Sequence, residues 1–151
     1  MDNLDYKILQ QLQVNCRQST EELGAKVGLS ATACQRRIKK LRLQGVIASE
    51  VAIVNPQQVA NYLTVLIDVK LVKGGVQIVD KFKQVMQSCE SVQQCYYLAG
   101  EVDFSLIVSV QSMQHYEALT RELLLNNEDV HTFLSKFSMD NVKTSWKIPL
   151  A

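Results

Sequence analysis

The apolar residues of this chain change period near residue 60. Before that point Leu4, Ile8, Leu9 and Leu12 recur at helical spacing. After it Leu63, Val65, Ile67, Val69 and Leu71 alternate with Thr64, Asp68 and Lys70, the mark of a strand with one buried side. The 151 residues accordingly read as an α+β chain of two domains, 1–54 and 63–151, joined by a linker at 55–62 where Asn55-Pro56 interrupts the pattern.

Charge divides along the same line. Residues 1–61 carry eight basic and five acidic side chains, net +3, and the remainder eight basic and ten acidic, net −2. Such asymmetry is expected when one part meets a polyanion and the other does not. The apolar and charged fractions, 47% and 21%, are those of a globular chain and leave no disordered tract. No apolar run reaches the ~18 residues of a membrane span, and MDNLDYK lacks the features of a signal peptide, so a cytoplasmic protein without membrane partners is expected. Cys16, Cys34, Cys89 and Cys95 form no CxxC pair and have no His at ligand spacing, so neither a disulfide framework nor a metal is expected.

In the first domain, Asp2 and Asn3 can cap a helix running to about Asn15. Ser19 with Glu22 forms a capping box for a second helix, which Gly28 is placed to end. Ser30 can cap a third, with Cys34, Ile38 and Leu41 on its buried face. Two short helices across a Gly-Leu-Ser turn make a helix-turn-helix. The face opposite the apolar stripe presents Thr32, Arg36 and Lys39, flanked by Gln35 and Lys40. With Ser30 and Arg37 these are the candidate contacts to double-stranded DNA. A helix fits the major groove, Arg and Gln can read base edges, and Lys, Ser and Thr can hold phosphates. A solvated helix face is the alternative for QRRIKK taken alone; the capped helix and tight turn before it favour recognition. VIASEVAIV, after Gly45, reads as a strand serving as a wing or a connector.

The second domain continues from its first strand through Gly74-Gly75 to a helix bearing Val79, Phe82 and Met86, a strand at 92–99, and a turn at Gly100-Glu101-Val102-Asp103. A third strand carries Phe104, Leu106, Val108 and Val110. Ser112 opens a second helix with Met113, Tyr116, Leu119 and Leu123, and His131–Met139 is the last strand. The order βαββαβ is ferredoxin-like. Two helices cover one face of such a sheet, and Leu66, Tyr96, Tyr97, Ile107, Phe133 and Phe137 are apolar or aromatic in both strand phases, so the other face is expected to be an association surface. Association through it would pair two recognition helices as DNA half-sites require.

LDYKILQQLQ at 4–13, LSATACQRRIKKLRLQGVI at 29–47 and LAGEVDFSLIV at 98–108, in that order, resemble the Lrp/AsnC family of leucine-responsive and asparagine-responsive transcription regulators, over essentially the whole chain. The chain departs from the family at Ala31 and Ala33, where prolines are frequent, and at Arg42, where an acidic residue is frequent. The resemblance implies a winged helix-turn-helix and a homodimer assembling to an octamer. It also implies an amino acid or related small-molecule effector near the turn after the second strand, at Leu98, Ala99, Gly100, Glu101, Val102 and Asp103. There Glu101 or Asp103 can pair with an ammonium and N–H groups around Gly100 with a carboxylate; the alternative is that Gly100 and Asp103 only shape a hairpin. Ser135 and Ser138, with Lys136, would complete the pocket or form a solvated edge. Trp146 and WKIPL read as packing or oligomer contacts, and His115 and His131 as surface residues.

A transcription regulator with no cofactor and no catalytic site is therefore expected. Two alternatives stand beside it. One is an architectural protein bound mainly through phosphates. The other is an enzyme like the sirohaem decarboxylases of the same architecture, disfavoured because Arg121 is the one arginine of the second domain.

Overall fold

The computed structural model describes residues 1–73 and 75–150, without the side chain of Gln57. Gly74, read above as part of a turn, and Ala151, assigned above to the second domain, lie outside the described residues. The chain forms two compact units, Met1–Ile53 with Lys143–Ala151, and Val54–Val142. Residues 143–150, placed by sequence at the end of the second domain, therefore pack with the first unit, a contact no local pattern announces.

In the first unit, α1 (Asn3–Leu12), α2 (Thr20–Val27) and α3 (Ala31–Leu43) each begin at a side-chain cap. Asp2 and Asp5 exchange hydrogen bonds in one capping box, and Ser19 and Glu22 in another. Ser30 Oγ accepts the Ala33 N–H at 3.3 Å. Gly28 ends α2 at φ +76°, a left-handed conformation that glycine adopts without strain. Ile8, Leu9, Leu23, Val27, Cys34, Ile38 and Leu41 close the core between the helices.

A second glycine sets the spacing of the turn. Gly24 is buried inside α2, and a Cβ there would collide with the Leu29 carbonyl, so the chain re-entering toward α3 passes directly over it. Gly28 N–H and Leu29 N–H both donate to the Gly24 carbonyl, at 2.8 and 3.0 Å.

Arg37 ties α3 to the start of α1. Its Nη1 donates to Asp2 Oδ2 at 2.9 Å and to Asp5 Oδ1 at 2.7 Å. Burial opposes ionisation of Asp5, but the Asp2 N–H and the guanidinium outweigh it and hold the carboxyl below its usual range. The Asp5 N–H and then Arg37 lower Asp2 in the same sense.

The segment read as a wing strand is irregular. Residues 48–55 belong to no strand, and Val51, Ile53 and Val54 are exposed. β-Branched composition favours an extended chain, but a strand needs a neighbour for its N–H and C=O groups, and this segment has none among the described residues. Arg42 instead binds Glu50 at 2.8 Å. Within the expected linker, Pro56–Val59 turns once as α4, with Pro56 at its first position, where a missing N–H costs nothing.

The second unit runs β1 (Leu63–Leu71), α5 (Val76–Ser88), β2 (Val92–Tyr97), β3 (Phe104–Val110), α6 (Met113–Thr120) continued by a π-helical turn (Arg121–Leu125), and β4 (Val130–Phe137). The sheet order is β2-β3-β1-β4, with every neighbouring pair antiparallel. Val65, Ile67, Val69 and Leu71 of β1 and Phe104, Leu106, Val108 and Val110 of β3 face Phe82, Met86, Leu119 and Leu123.

Register corrects the expected open face. Directly paired antiparallel residues share a side, and Tyr97 pairs with Phe104, Phe133 with Val69, and Phe137 with Val65. Those three aromatics therefore lie on the helix side, Tyr97 against Phe104 and Phe137 against Tyr116, each pair 5.0 Å between ring centres. Leu66, Tyr96 and Ile107 remain on the open side with Leu134, which pairs with Asp68. Asp68 sits among them, accepting from Lys136 Nζ at 2.5 Å and Ser105 Oγ at 2.9 Å; the Lys136 ammonium, then Ser105, lowers its pKa.

Two outcomes follow for the first unit. Gly24→Val should destabilise it by about 2 kcal/mol or more, since the clash is with backbone, and a shift in urea midpoint measures it; an unchanged midpoint contradicts the close approach. Because Asp2 and Asp5 ionise more readily folded than unfolded, the stability they contribute is complete above the ordinary carboxylate range, near pH 4, and is lost as pH falls through their lower folded values. Asp5→Asn should thus be less stable at pH 7 and lose less on acidification, whereas wild-type and variant curves that run parallel would refute the assignment.

Candidate nucleic-acid interface and effector turn

The third helix is held by one side. Cys34, Ile38 and Leu41 are buried, and Arg37 is turned toward α1, while Thr32, Gln35, Arg36, Lys39 and Lys40 are exposed. At 1.5 Å per residue its 13 residues extend about 20 Å, long enough to lie along a major groove. Among the described residues Arg36, Lys39 and Lys40 have no hydrogen-bond or ion-pair partner in the chain. Such cations are available to a polyanion without breaking an internal contact.

Two of the sequence candidates are engaged internally. Ser30 Oγ caps α3, and the Arg37 guanidinium is shared by Asp2 and Asp5. Arg37 shares charge and helix position with its basic neighbours, and its partners lie 32 and 35 residues away in sequence. The available signal was an acidic residue at both the cap and the third position of α1, Asp2 and Asp5.

The turn after β2 is built around Asp103. Its carbonyl accepts the Leu98 N–H at 2.8 Å, its N–H donates to the Val69 carbonyl at 2.9 Å, and its Oδ2 accepts the Leu71 N–H at 2.7 Å. One carboxylate oxygen thus anchors the turn to the end of β1. Leu98, Ala99, Gly100 and Glu101 are exposed, and Val102 and Asp103 half-buried. Space around Gly100 is open, with nothing within 4 Å of where a Cβ would stand.

Ser135 and Ser138 are not brought to this turn within one chain. Ser135 pairs with Ile67 and its Oγ accepts from the Tyr116 hydroxyl at 2.8 Å; Ser138 N–H donates to the Thr64 carbonyl, and its Oγ to the Asp140 carbonyl. Asp103 meets β1 at Val69 and Leu71, so at ~3.3 Å per residue Ser138 stands roughly 16 Å further along the strand. Two surface grooves of this unit lie elsewhere, one along Glu117, Arg121 and Asn126, the other along Leu124, Val130 and Phe133. Among the described residues no cluster of His, Cys, Asp or Glu is arranged to hold a metal ion, and no helix is long and apolar enough to cross a membrane.

Against this geometry the likenesses to known proteins are consistent in both units. The profile of the AsnC-type helix-turn-helix domain matches residues 1–42, and that of the Lrp/AsnC ligand binding domain residues 64–148. An uncharacterised HTH-type transcriptional regulator of Sinorhizobium fredii is 41% identical over 99% of this chain and 89% of its own length. The leucine-responsive regulatory protein of Haemophilus influenzae is 35% identical over 95% and 86%. Among solved structures, an AsnC family transcriptional regulator from Agrobacterium tumefaciens superposes with a TM-score of 0.91 at 32% identity, covering 99% of this chain and 97% of that one. A Neisseria meningitidis transcriptional regulator in complex with L-Met gives 0.90 at 30% identity, covering 99% and 96%. With both domain profiles matched in order and full-length relatives above 30% identity, the chain belongs to the Lrp/AsnC family of transcription regulators.

Proposed function

We propose that this regulator binds double-stranded DNA through the exposed face of α3, with Gln35 and Arg36 at base edges and Thr32, Lys39 and Lys40 at phosphates. The observation that carries the reading is that α3 docks by its apolar face and Arg37, and Arg42 is held by Glu50, while Arg36, Lys39 and Lys40 stay unpaired among the described residues. Ser30 and Arg37 then serve the interface by fixing the helix, the first as cap and the second as tie. The chain acts as a homodimer through the open sheet face around Leu66, Tyr96, Ile107 and Leu134, and dimers assemble further. It works in the cytoplasm without enzymatic activity.

Its DNA affinity or assembly responds to an amino acid or related metabolite held near residues 98–103. The L-Met complex of the Neisseria relative supports this ligand class. Glu101 and the N–H groups around Gly100 are the exposed polar groups of the turn, and a pocket incomplete in one chain is closed by a neighbouring copy. That arrangement would also bring Ser135 or Ser138 to a turn they do not reach in their own chain.

Arg36→Ala should lose about 1–3 kcal/mol of affinity for the preferred duplex while the fold and oligomer persist; unchanged binding in a competition titration would reject α3 as the reading element. A ligand at one hundred times its Kd stabilises the chain by about 2.7 kcal/mol. Screening the twenty amino acids by thermal shift should therefore find a saturable rise with one or a few, and a flat screen would reject this ligand class.

A further inference from the structure

Residues 143–150 belong to no helix or strand, yet they pack with the first unit, where Ile148 and Leu150 are held by Gln13, the C-cap of α1, and by Gln10 within it. The Gln13 side chain grips one peptide residue at both ends: its Nε2 donates to the Ile148 carbonyl at 3.1 Å and its Oε1 accepts the Ile148 N–H at 2.7 Å. This is the pairing a neighbouring strand would offer, made by one side chain. Gln10 Nε2 donates to the Leu150 carbonyl at 3.2 Å, and the Leu150 side chain packs against the core that holds Ile8 and Leu9. Trp146 and Ile148 stay exposed. The site therefore recognises extended backbone and, two residues on, an apolar side chain.

We propose that this face of α1 is a docking site for an extended peptide, that its occupant is residues 143–150 of this chain, and that the seated segment is a releasable latch on the DNA-binding unit. Against the ordering of eight residues, the grip of α1 and Gln13 on the segment consists of exposed hydrogen bonds to Ile148 and Leu150 and one half-buried leucine. Each exposed hydrogen bond contributes little net and each ordered residue costs backbone entropy, so the seated and free states are close in free energy. Only residues 138–142 separate the latch from β4. By chain continuity alone, a change in the ligand-binding unit can pull on or release α1. At its other end α1 holds Arg37 of α3. A seated latch restricts the DNA-binding unit, and a pre-organised binding surface binds more tightly than a free one; this consequence rests on the DNA reading above.

Two full-length variants test the latch. Gln13→Leu keeps the volume and removes both bonds to Ile148, and Leu150→Ser removes the apolar anchor. Hydrogen exchange of the wild-type chain should show the Ile148 amide protected, and both variants should bring it close to the rate of an unstructured peptide while amides within α3 and β1 keep their protection. Affinity for one fixed duplex should fall about fivefold in both variants. An Ile148 amide that exchanges freely in the wild type, or remains protected in Gln13→Leu, overturns the docking site. Lost protection with unchanged affinity overturns the latch. A wild-type chain that binds no duplex refutes the DNA reading instead, and the exchange measurement, which needs no DNA, still decides the docking site.

Discussion

A helix that reads a groove has to be held firmly from one side and left bare on the other, and on the proposed reading that requirement falls on α3. Its apolar face supplies only Cys34, Ile38 and Leu41. A short apolar stripe limits sliding poorly, because dispersion and burial carry little directional preference. The guanidinium of Arg37 adds direction: fixed to Asp2 and Asp5, it sets how α3 is turned about its own axis. The same two carboxylates cap α1. The start of one helix and the orientation of another thus depend on a single cluster, and its hydrogen bonds are satisfied without borrowing Arg36, Lys39 or Lys40. Gly24 adds a steric limit by letting the backbone at Leu29 approach α2 more closely than any side chain would allow.

The sheet of the second unit solves a related problem with a different division. Its two helices consume one face, where Phe82 and Phe104 stack with ring centres 4.6 Å apart and Tyr97 continues the contact. The opposite face keeps Leu66, Tyr96, Ile107 and Leu134 around an ionised Asp68 whose oxygens are taken by Lys136 and Ser105. A partly apolar surface whose carboxylate is already compensated can be covered by another copy without stranding that carboxylate. The turn at 98–103 is anchored at its base by Asp103 and open at its tip.

Much of this was legible in the sequence because it is local. Ser19 with Glu22, Gly28 and Ser30 announce the helix-turn-helix through capping and turn chemistry, and the alternation from Leu63 to Leu71 announces a half-buried strand. What escaped depends on pairing across the chain. The phase of Phe133 and Phe137 is set by their partners Val69 and Val65, and apolar content alone gave both faces equal claim. VIASEVAIV has strand composition but no neighbouring strand. Arg37 looked like its basic neighbours until Asp2 and Asp5 were brought beside it. The seat of residues 143–150 on Gln10 and Gln13 uses uncharged side chains some 135–140 residues away, for which sequence carries no periodic signal. The candidate effector residues rest on resemblance, and of the two acidic candidates Asp103 also anchors the turn to β1.

Photo-crosslinking decides whether the bare face of α3 meets DNA. A photoreactive side chain placed at Gln35, on that face, and another at Gln84, exposed on α5, would be compared on a duplex selected by the wild-type chain from a random pool. Position 35 should give a covalent product that unlabelled duplex competes away, and position 84 none. Equal yields from the two positions, or no product from position 35, would contradict contact through that face.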